Sequence, residues 1–214
     1  MAGGFEFSEG NGQSCPPSVA KNLVKAFDLL HYELGVLQPK EKALLQNKEA
    51  GLPQNWLTAG AKPLSRILEF QGHKVGLLVL PTIDALDKES PQTSFQLVNK
   101  QAEHLKSRVN LLIGLSQWGS NLERKYLQSS PPLFDIFLGS GPGPGFAGKY
   151  RQQDNTLWVR PYDEGKSVSI IKISKWPKKE TKHKWTPYKE IKTGLAKLSD
   201  DMPRDPKVAS VLAN

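Results

Sequence analysis

The stretch Val109-Asn-Leu-Leu-Ile-Gly-Leu-Ser-Gln-Trp-Gly119 says most about the fold of this chain. Its first seven residues form an almost unbroken apolar run, and two similar runs, Lys74–Leu80 and Leu133–Leu138, lie on either side of it in the sequence. Continuous apolar runs of this length are typical of strands covered on both faces, as in the sheets of α/β proteins. The sequence therefore predicts an α/β fold with these three strands at its centre.

Helical periodicity separates the apolar runs. Residues Thr93–Arg108 predict a helix whose apolar side is Phe95, Val98, Ala102 and Leu105. Asn121–Gln128 predicts a second, short helix before the third strand. Strands that alternate with helices favour a parallel arrangement, so the middle of the chain is expected to be strand–helix–strand–helix–strand.

Helices are also predicted near both ends of the chain. The first starts at the cap residue Ser18, ends before Gly35 and has an apolar stripe of Val19, Leu23, Phe27, Leu30 and Leu34. A second helix, Lys40–Ala50, has Pro39 in its first turn. The next predicted element is a strand, Arg66–Phe70. A final short helix opens at Pro206, with Val208, Val211 and Leu212 expected to face inward.

Two strands are predicted late in the chain. Thr156–Val159 and Val168–Ile173 have strand character and are separated by the turn residues 163–165. We expect them to be consecutive strands of an antiparallel sheet.

The loop after Leu138 contains the spacing G-x-x-x-x-G-K in Gly143–Lys149. A nucleotide-binding P-loop needs Ser or Thr at the next position, where this chain has Tyr150. It also needs backbone N–H groups and a following helix, but Pro142 and Pro144 have no N–H and the next residues predict a strand. The pattern favours a flexible Gly/Pro surface loop over a phosphate site.

Length and composition are those of one globular domain. The 214 residues are enough for a sizeable core, and we expect a single domain over residues 1–214. No apolar run approaches the roughly 20 residues of a membrane-spanning helix. The first residues lack the basic start and apolar centre of a signal peptide, so two locations stay open: cytoplasmic, or exported if a leader is missing.

The common catalytic and metal-binding spacings are absent from the sequence. Its four histidines form neither H-x-H nor H-E-x-x-H, and it has no G-x-S-x-G motif. The single Cys15 excludes an internal disulfide and a cysteine cluster.

Almost the whole net charge of +8 lies between Lys172 and Lys197, a segment that contains nine lysines and only two glutamates. Lysines with interleaved aromatic residues can bind single-stranded nucleic acid, an anionic membrane or an acidic partner. The favoured interpretation is an exposed basic excursion, at about 175–189, whose aromatic side chains pack onto the body. The polyanion-binding candidates are Trp176, Lys178, Lys179, Lys182, Lys184 and Trp185.

Several segments, in order, resemble one superfamily. Val109–Gly119 resembles the pattern apolar-apolar-x-L-S-H-x-G, Asp135–Gly143 resembles D-x-I-I-G-G-H-x-H, and His31–Glu41 resembles G-Y-D-A-x-x-L-G-N-H-E. Ala2–Gly4 lies where the same family has D-A-G-D. These patterns belong to the calcineurin-like metallophosphoesterases of the 5′-nucleotidase type. The resemblance covers most of residues 1–174.

The resemblance implies a site whose ligands are missing. In that family these motifs hold two metal ions, about 3.5–4 Å apart, that activate water against a phosphate ester. The corresponding positions here are Gly4, Pro39, Lys40, Glu41, Gln117, Gly141 and Gly143. Gly4 replaces the bridging Asp, and Pro39 and Lys40 replace the Asn and His of N-H-E, whose Glu is kept as Glu41. Histidines are replaced by Gln117, Gly141 and Gly143. Only Gln117 among these replacements offers a side-chain oxygen. The family's D-x-H motif would lie before Met1.

The resemblance implies a four-layer α-β-β-α sandwich, with its first strand expected to be absent. Its strand ends should bring Gly4, Lys40, Glu41, Gln117 and the 139–149 loop to one edge. Lys40 and Lys149 are candidates for a weak anion site, and no metal or other cofactor is expected.

Three functions remain open. The first is a pseudoenzyme that binds or scaffolds a protein partner or an anionic ligand. The second is a phosphoester hydrolase with a rearranged or externally completed site. The third is a nucleic-acid or polyanion binder that uses residues 172–197.

Overall fold

A computed structural model describes residues 6–7, 16–82, 91–151, 155–162, 167–177 and 183–213. The described helices are α1 (Pro17–Leu29), α2 (Pro39–Asn47), α3 (Gln92–Lys106), α4 (Ser120–Ser129) and α5 (Pro206–Leu212). The described strands are β1 (Gly35–Leu37), β2 (Trp56–Thr58), β3 (Leu64–Phe70), β4 (His73–Val79), β5 (Leu111–Ser116), β6 (Ile136–Gly139), β7 (Phe146–Arg151), β8 (Thr156–Arg160), β9 (Ser167–Ile173) and β10 (Ile191–Lys197). The chain divides into two compact units, Met1–Gly60 with Asp200–Asn214, and Ala61–Ser199.

In the first unit, α1 and α2 enclose a small core next to the parallel pair β1–β2. The buried members of this core are Phe7, Ala20, Val24, Leu37 and Leu45. The Phe27 and Trp56 rings pack with their centroids 4.9 Å apart. Gly35 lies against the Trp56 indole, and a Cβ at residue 35 would come within 2.1 Å of that ring. The aromatic packing therefore requires glycine at the start of β1.

Two helix predictions in this unit need correction. The predicted cap residue Ser18 lies inside α1, whose N-cap is Pro16, and α1 ends at Leu29. His31 has a φ of 47°, which a continuing helix does not allow, so Leu34 lies beyond the helix. Val19 and Leu30 are consequently exposed rather than in the core. The inward face predicted for α5 is wrong for Leu212, which is 50% exposed, whereas Val208 and Val211 are half-buried. No residue of α5 is fully buried.

The second unit contains a six-stranded sheet of order β3-β4-β5-β6-β8-β7. Strands β4, β5, β6 and β8 are parallel, and β3 and β7 pair antiparallel at the two edges. The three apolar runs of the sequence are the neighbours β4, β5 and β6, as predicted. The apolar side predicted for the 93–108 helix is also confirmed, since Phe95, Val98, Ala102 and Leu105 of α3 all lie in the core over one sheet face.

The predicted pairing of the two late strands is wrong. β8 lies between β6 and β7 in the six-stranded sheet, whereas β9 pairs antiparallel with β10 in a separate two-stranded sheet. Burial accounts for the difference: every residue of β8 is buried, as in an interior strand, while β9 alternates between half-buried and exposed residues. Strand β10 was not predicted.

Candidate functional site at the carboxyl ends of β5 and β6

Residues from two predicted motifs meet at one edge of the six-stranded sheet. β5 and β6 are parallel neighbours with Ser116 opposite Gly139, so the chain leaves both strands at the same edge. The N–H of Gly119 donates to the carbonyl of Ser140 (3.0 Å), and the N–H of Ser120 donates to that of Pro142 (2.8 Å). The structure therefore brings Gln117 close to the Gly/Pro loop, defined here as residues 139–145.

Arg160, at the end of β8, holds the Gly/Pro loop in place. Its guanidinium donates to the carbonyl of Gly141 at 2.6 Å and to that of Ser140 at 3.1 Å. It also donates to the carbonyls of Pro142 at 3.1 Å and Pro144 at 3.2 Å. The loop is exposed at its tip, as the sequence predicted, but four of its carbonyl groups are fixed by one side chain that is 1% exposed.

The buried carboxylate of Glu123, in the first turn of α4, balances the charge of Arg160. Its Oε2 accepts from Arg160 Nη1 at 2.6 Å and from Trp158 Nε1 at 3.0 Å. Burial raises the pKa of Glu123 above its ordinary value, and the charge and hydrogen bond of Arg160 offset only part of this rise. Gly139 makes room for the carboxylate, because a Cβ at residue 139 would lie 2.0 Å from Oε2.

Sequence reasoning missed Glu123, Trp158 and Arg160. The available signal was weak: a single arginine closes an apolar strand, and a single glutamate lies one turn into a predicted helix. Neither marks a buried ion pair, since both residue types are usually exposed.

The side-chain amide of Gln117 is buried without hydrogen-bond partners among the described residues. Its side chain is 2% exposed, and neither Nε2 nor Oε1 has a hydrogen-bond partner among the described residues. Leaving such a group unpaired costs about 1–3 kcal/mol. One amide oxygen is nevertheless far from the ligand set of a dinuclear centre.

Within the described parts of the chain, no group of three or more His, Cys, Asp or Glu side chains could hold a metal. Gly141 and Gly143, at the two family histidine positions, have φ values of 79° and 113°. A Cβ at Gly143 would lie 2.0 Å from the Ser120 hydroxyl, so the backbone at this position is suited to glycine.

The N-H-E-like residues lie in the first unit. Pro39 and Lys40 open α2, and Lys40 is exposed. The Glu41 carboxylate is buried and engaged on both oxygens, accepting from the N–H groups of Gln38 (2.7 Å) and Phe7 (2.9 Å). Glu41 therefore serves as a helix cap. Gly4 lies outside the described residues, and a shared edge for Lys40, Glu41 and Gln117 stays a prediction.

Lys149 lies on β7, on the strand that follows the Gly/Pro loop. Its Nζ is 4.3 Å from the centroid of the Phe146 ring, a cation–π contact. An anion site that uses Lys149 stays a prediction, as does one that uses Lys40.

The two tryptophans of the basic segment are both engaged. Trp185 is 2% exposed and donates its Nε1–H to the carbonyl of Asp135 at 2.8 Å. Trp176 stacks on His73, with ring centroids 4.2 Å apart and an angle of 20°. Lys184 is exposed, whereas Lys178, Lys179 and Lys182 lie outside the described residues. The part of residues 175–189 that the structure describes is therefore anchored at two points.

Solved structures that match this chain over most of its length include two hydrolases from bacteria. The NAD nucleotidase NadN of Haemophilus influenzae matches with a TM-score of 0.61 and 12% identity, over 92% of this chain and 47% of that one. The sulfate thiohydrolase SoxB of Thermus thermophilus, solved in complex with glycerol, matches with a TM-score of 0.62 and 12% identity, over 90% of this chain and 38% of that one. The chain thus spans less than half of either structure.

Sequence comparisons add no closer relative. No protein-family model matches the chain, and no curated protein matches it significantly. The described helices include none long and apolar enough to cross a membrane. The structural matches confirm the predicted α/β fold of the metallophosphoesterase type, and at 12% identity they show a likeness of fold alone.

Proposed function

We propose that this chain is a nucleotidase-like domain that acts by binding or scaffolding and does not hydrolyse phosphate esters at a dinuclear metal centre. One observation carries the proposal: at the carboxyl ends of β5 and β6 the chain presents Gln117, Gly141 and Gly143 in place of metal ligands. Fold alone does not decide activity, because a site depends on its own side chains.

The chemistry of the donors supports this proposal. Two-metal hydrolysis needs several carboxylate, imidazole or amide ligands to hold both ions and to lower the pKa of a bound water. Glycine has no side chain, proline has no donor atom there, and a lysine ammonium has no lone pair. In addition, the family's glutamate, Glu41, is already used to hold two backbone N–H groups.

The role of Arg160 offers a physical reason why the loop needs no metal ion. A guanidinium carries a permanent positive charge and several donors in a fixed plane. Here it neutralises Glu123 and gathers the carbonyl groups of four loop residues. The protein itself thus supplies the cation that organises this loop.

Turnover measurements test the proposal. Purified protein saturated with Mn²⁺ or Zn²⁺ is incubated with an aryl phosphate and with a nucleoside monophosphate, and phosphate release is followed. A Gln117→Ala variant is the matched control, because a contaminating phosphatase would give equal rates in both samples. We expect no metal-dependent rate that distinguishes the two proteins. Metal-dependent turnover that is lost in Gln117→Ala would contradict the proposal and would favour a hydrolase with a rearranged site.

A further inference from the structure

The two-stranded sheet β9–β10 leaves one face open. Its register places Val168 opposite Ala196, Ile170 opposite Gly194 and Lys172 opposite Lys192. Val168 is 50% exposed and Ile170 is 41% exposed, while a Cβ at Gly194 would meet no atom within 4 Å. We call this surface, made of these six residues, the outer face of the β9–β10 sheet. It is an open apolar strip with two lysines at one end.

The two lysines of the outer face repel each other. Like charges directly opposite on adjacent strands destabilise a sheet. Among the described residues, neither Lys172 nor Lys192 has an ion-pair partner. The neighbouring Glu190 is already paired with Lys175, at 2.9 Å. The arrangement costs stability in the free protein, and a negative group placed over both ammonium groups would remove that cost.

The surrounding charge has the same sign. Over residues 167–177 and 183–197 the chain has six lysines against a single glutamate. Those lysines are Lys172, Lys175, Lys184, Lys189, Lys192 and Lys197. Such a local excess attracts acidic partners and accelerates their association.

We propose that the outer face of the β9–β10 sheet is a docking site for an acidic, extended segment of a partner protein. Carboxylates of that segment lie over Lys172 and Lys192, and its alternate apolar side chains cover Val168 and Ile170. An extended chain suits the surface because its side chains alternate with the same period of two as those of the strands beneath it. The inference rests on the proposed binding role and names the chemistry of the partner.

The structure favours a peptide over a nucleic acid at this face. Single-stranded nucleic acids bind through basic grooves with aromatic side chains on which bases stack. Here the strip beside the two lysines is aliphatic, Trp185 is buried, and Trp176 is stacked on His73. Aliphatic side chains next to lysines instead match an extended segment that has apolar and then acidic residues on the same side.

Binding of a synthetic peptide tests the proposal on the full chain, with fluorescence anisotropy as the readout. The peptide has Val at two alternate positions, Glu at the next two alternate positions and Ser in between, so that the Val and Glu side chains share one side of the extended chain. An oligodeoxythymidylate of equal charge is the second probe. Lys172→Glu should weaken peptide binding about tenfold or more. The same substitution creates an opposite-charge pair with Lys192, so it should raise Tm by about 1–3 °C. A gain in stability together with a loss of affinity is the signature of a residue kept for binding.

Lys100→Glu on α3 is the matched control, since it changes an exposed lysine and the net charge by the same amount. We expect it to leave the peptide affinity within about twofold of the original. Ile170→Thr keeps a β-branched residue and is expected to lower the affinity for the peptide. It provides a second test if Lys172→Glu does not fold.

Three results would overturn the proposal: no binding of the peptide, equal weakening by Lys172→Glu and Lys100→Glu, or tighter binding of the oligonucleotide than of the peptide. The proposed function fails by a different result, metal-dependent turnover, which would leave the peptide affinities unchanged. The two inferences can therefore be told apart.

Discussion

At the scale of single residues, Arg160 is the side chain on which the candidate site depends most. It is almost fully buried, it pairs with the buried Glu123, and it binds the carbonyl groups of residues 140, 141, 142 and 144. Burying two charges is costly, and the cost is recovered only where hydrogen bonds satisfy both groups. Arg160 meets this condition because its guanidinium donates to the carboxylate and to the loop together. Glu123 meets it in part: its Oε2 accepts two hydrogen bonds, whereas its Oε1 has no hydrogen-bond partner among the described residues.

Arg160→Met tests this role. The substitution leaves Glu123 buried without its counter-charge and frees the loop carbonyls, so we expect a loss of about 3–5 kcal/mol in the free energy of unfolding. Urea denaturation measures the loss, and Arg108→Met, at an exposed arginine, is the control with an expected effect of about 0.5 kcal/mol or less. A loss of similar size in both variants would contradict the role of Arg160 in holding the Gly/Pro loop.

The glycines of the loop lead to a second prediction. Gly143 has a φ of 113°, which a residue with a side chain rarely adopts, and a Cβ there would clash with the Ser120 hydroxyl. Replacing Gly143 by the histidine of the family pattern therefore strains the backbone. We expect Gly143→His to lower Tm by several degrees without creating metal affinity, because backbone strain of this kind costs about 1–3 kcal/mol.

Gly60→His is the control for this change, since a Cβ at Gly60 meets no atom within 4 Å. Thermal unfolding with and without Mn²⁺ gives the answer. Stabilisation of Gly143→His by Mn²⁺ would show that a usable metal site persists there.

At the scale of elements, the helices and strands that were predicted correctly are those whose own residues determine their structure. β4, β5 and β6 are buried on both faces and α3 has a clear apolar side, so composition and periodicity suffice to predict them. β9 has the same local character as any half-exposed strand, and its pairing with β10 is fixed by residues 18 positions or more away. The Arg160–Glu123 pair joins residues 37 apart in sequence, and no spacing rule predicts such a pair.

Trp185 tests how the basic segment is anchored. Trp185→Phe keeps an aromatic ring but loses the hydrogen bond to the Asp135 carbonyl, which should cost about 0.5–1.5 kcal/mol. Trp185→Ala also removes a buried ring and should cost about 3–5 kcal/mol. We expect trypsin to cleave after the lysines of residues 172–197 faster in the alanine variant. Equal cleavage rates in the wild-type protein and Trp185→Ala would contradict the anchoring role.

The turn before β10 should respond to acid. A hydrogen bond from Lys175 lowers the pKa of Glu190 below its usual value, and the N–H of Thr186 donates to the same carboxylate at 3.0 Å. Because this pKa is lower in the folded than in the unfolded chain, the stabilisation is present above the unfolded pKa and is lost as pH falls through the folded one. Glu190→Gln should therefore have a lower Tm than the wild-type protein at pH about 7, and the difference should shrink as pH falls below the ordinary glutamate pKa of about 4.3. A difference that stays constant with pH would contradict this assignment.

At the scale of the whole molecule, the chain combines a hydrolase-like fold with a different set of side chains. Its fold resembles those of NadN and SoxB, yet it spans less than half of either chain. Nearly all of its net charge lies in residues 172–197 of the sequence, which include the end of β9 and the whole of β10. At the ends of β5 and β6 the chain has glycine, glutamine and an internal ion pair. Both features are the basis of the binding role proposed above.

Metal stoichiometry tests the proposal that the chain holds no dinuclear metal centre. The protein is purified without chelators, dialysed against Mn²⁺ or Zn²⁺ and analysed by inductively coupled plasma mass spectrometry, with its Tm recorded before and after a chelator is added. We expect far less than one ion per chain and an unchanged Tm, because Arg160 rather than a metal holds the loop. Two ions per chain, together with a fall in Tm when the chelator removes them, would contradict the proposal.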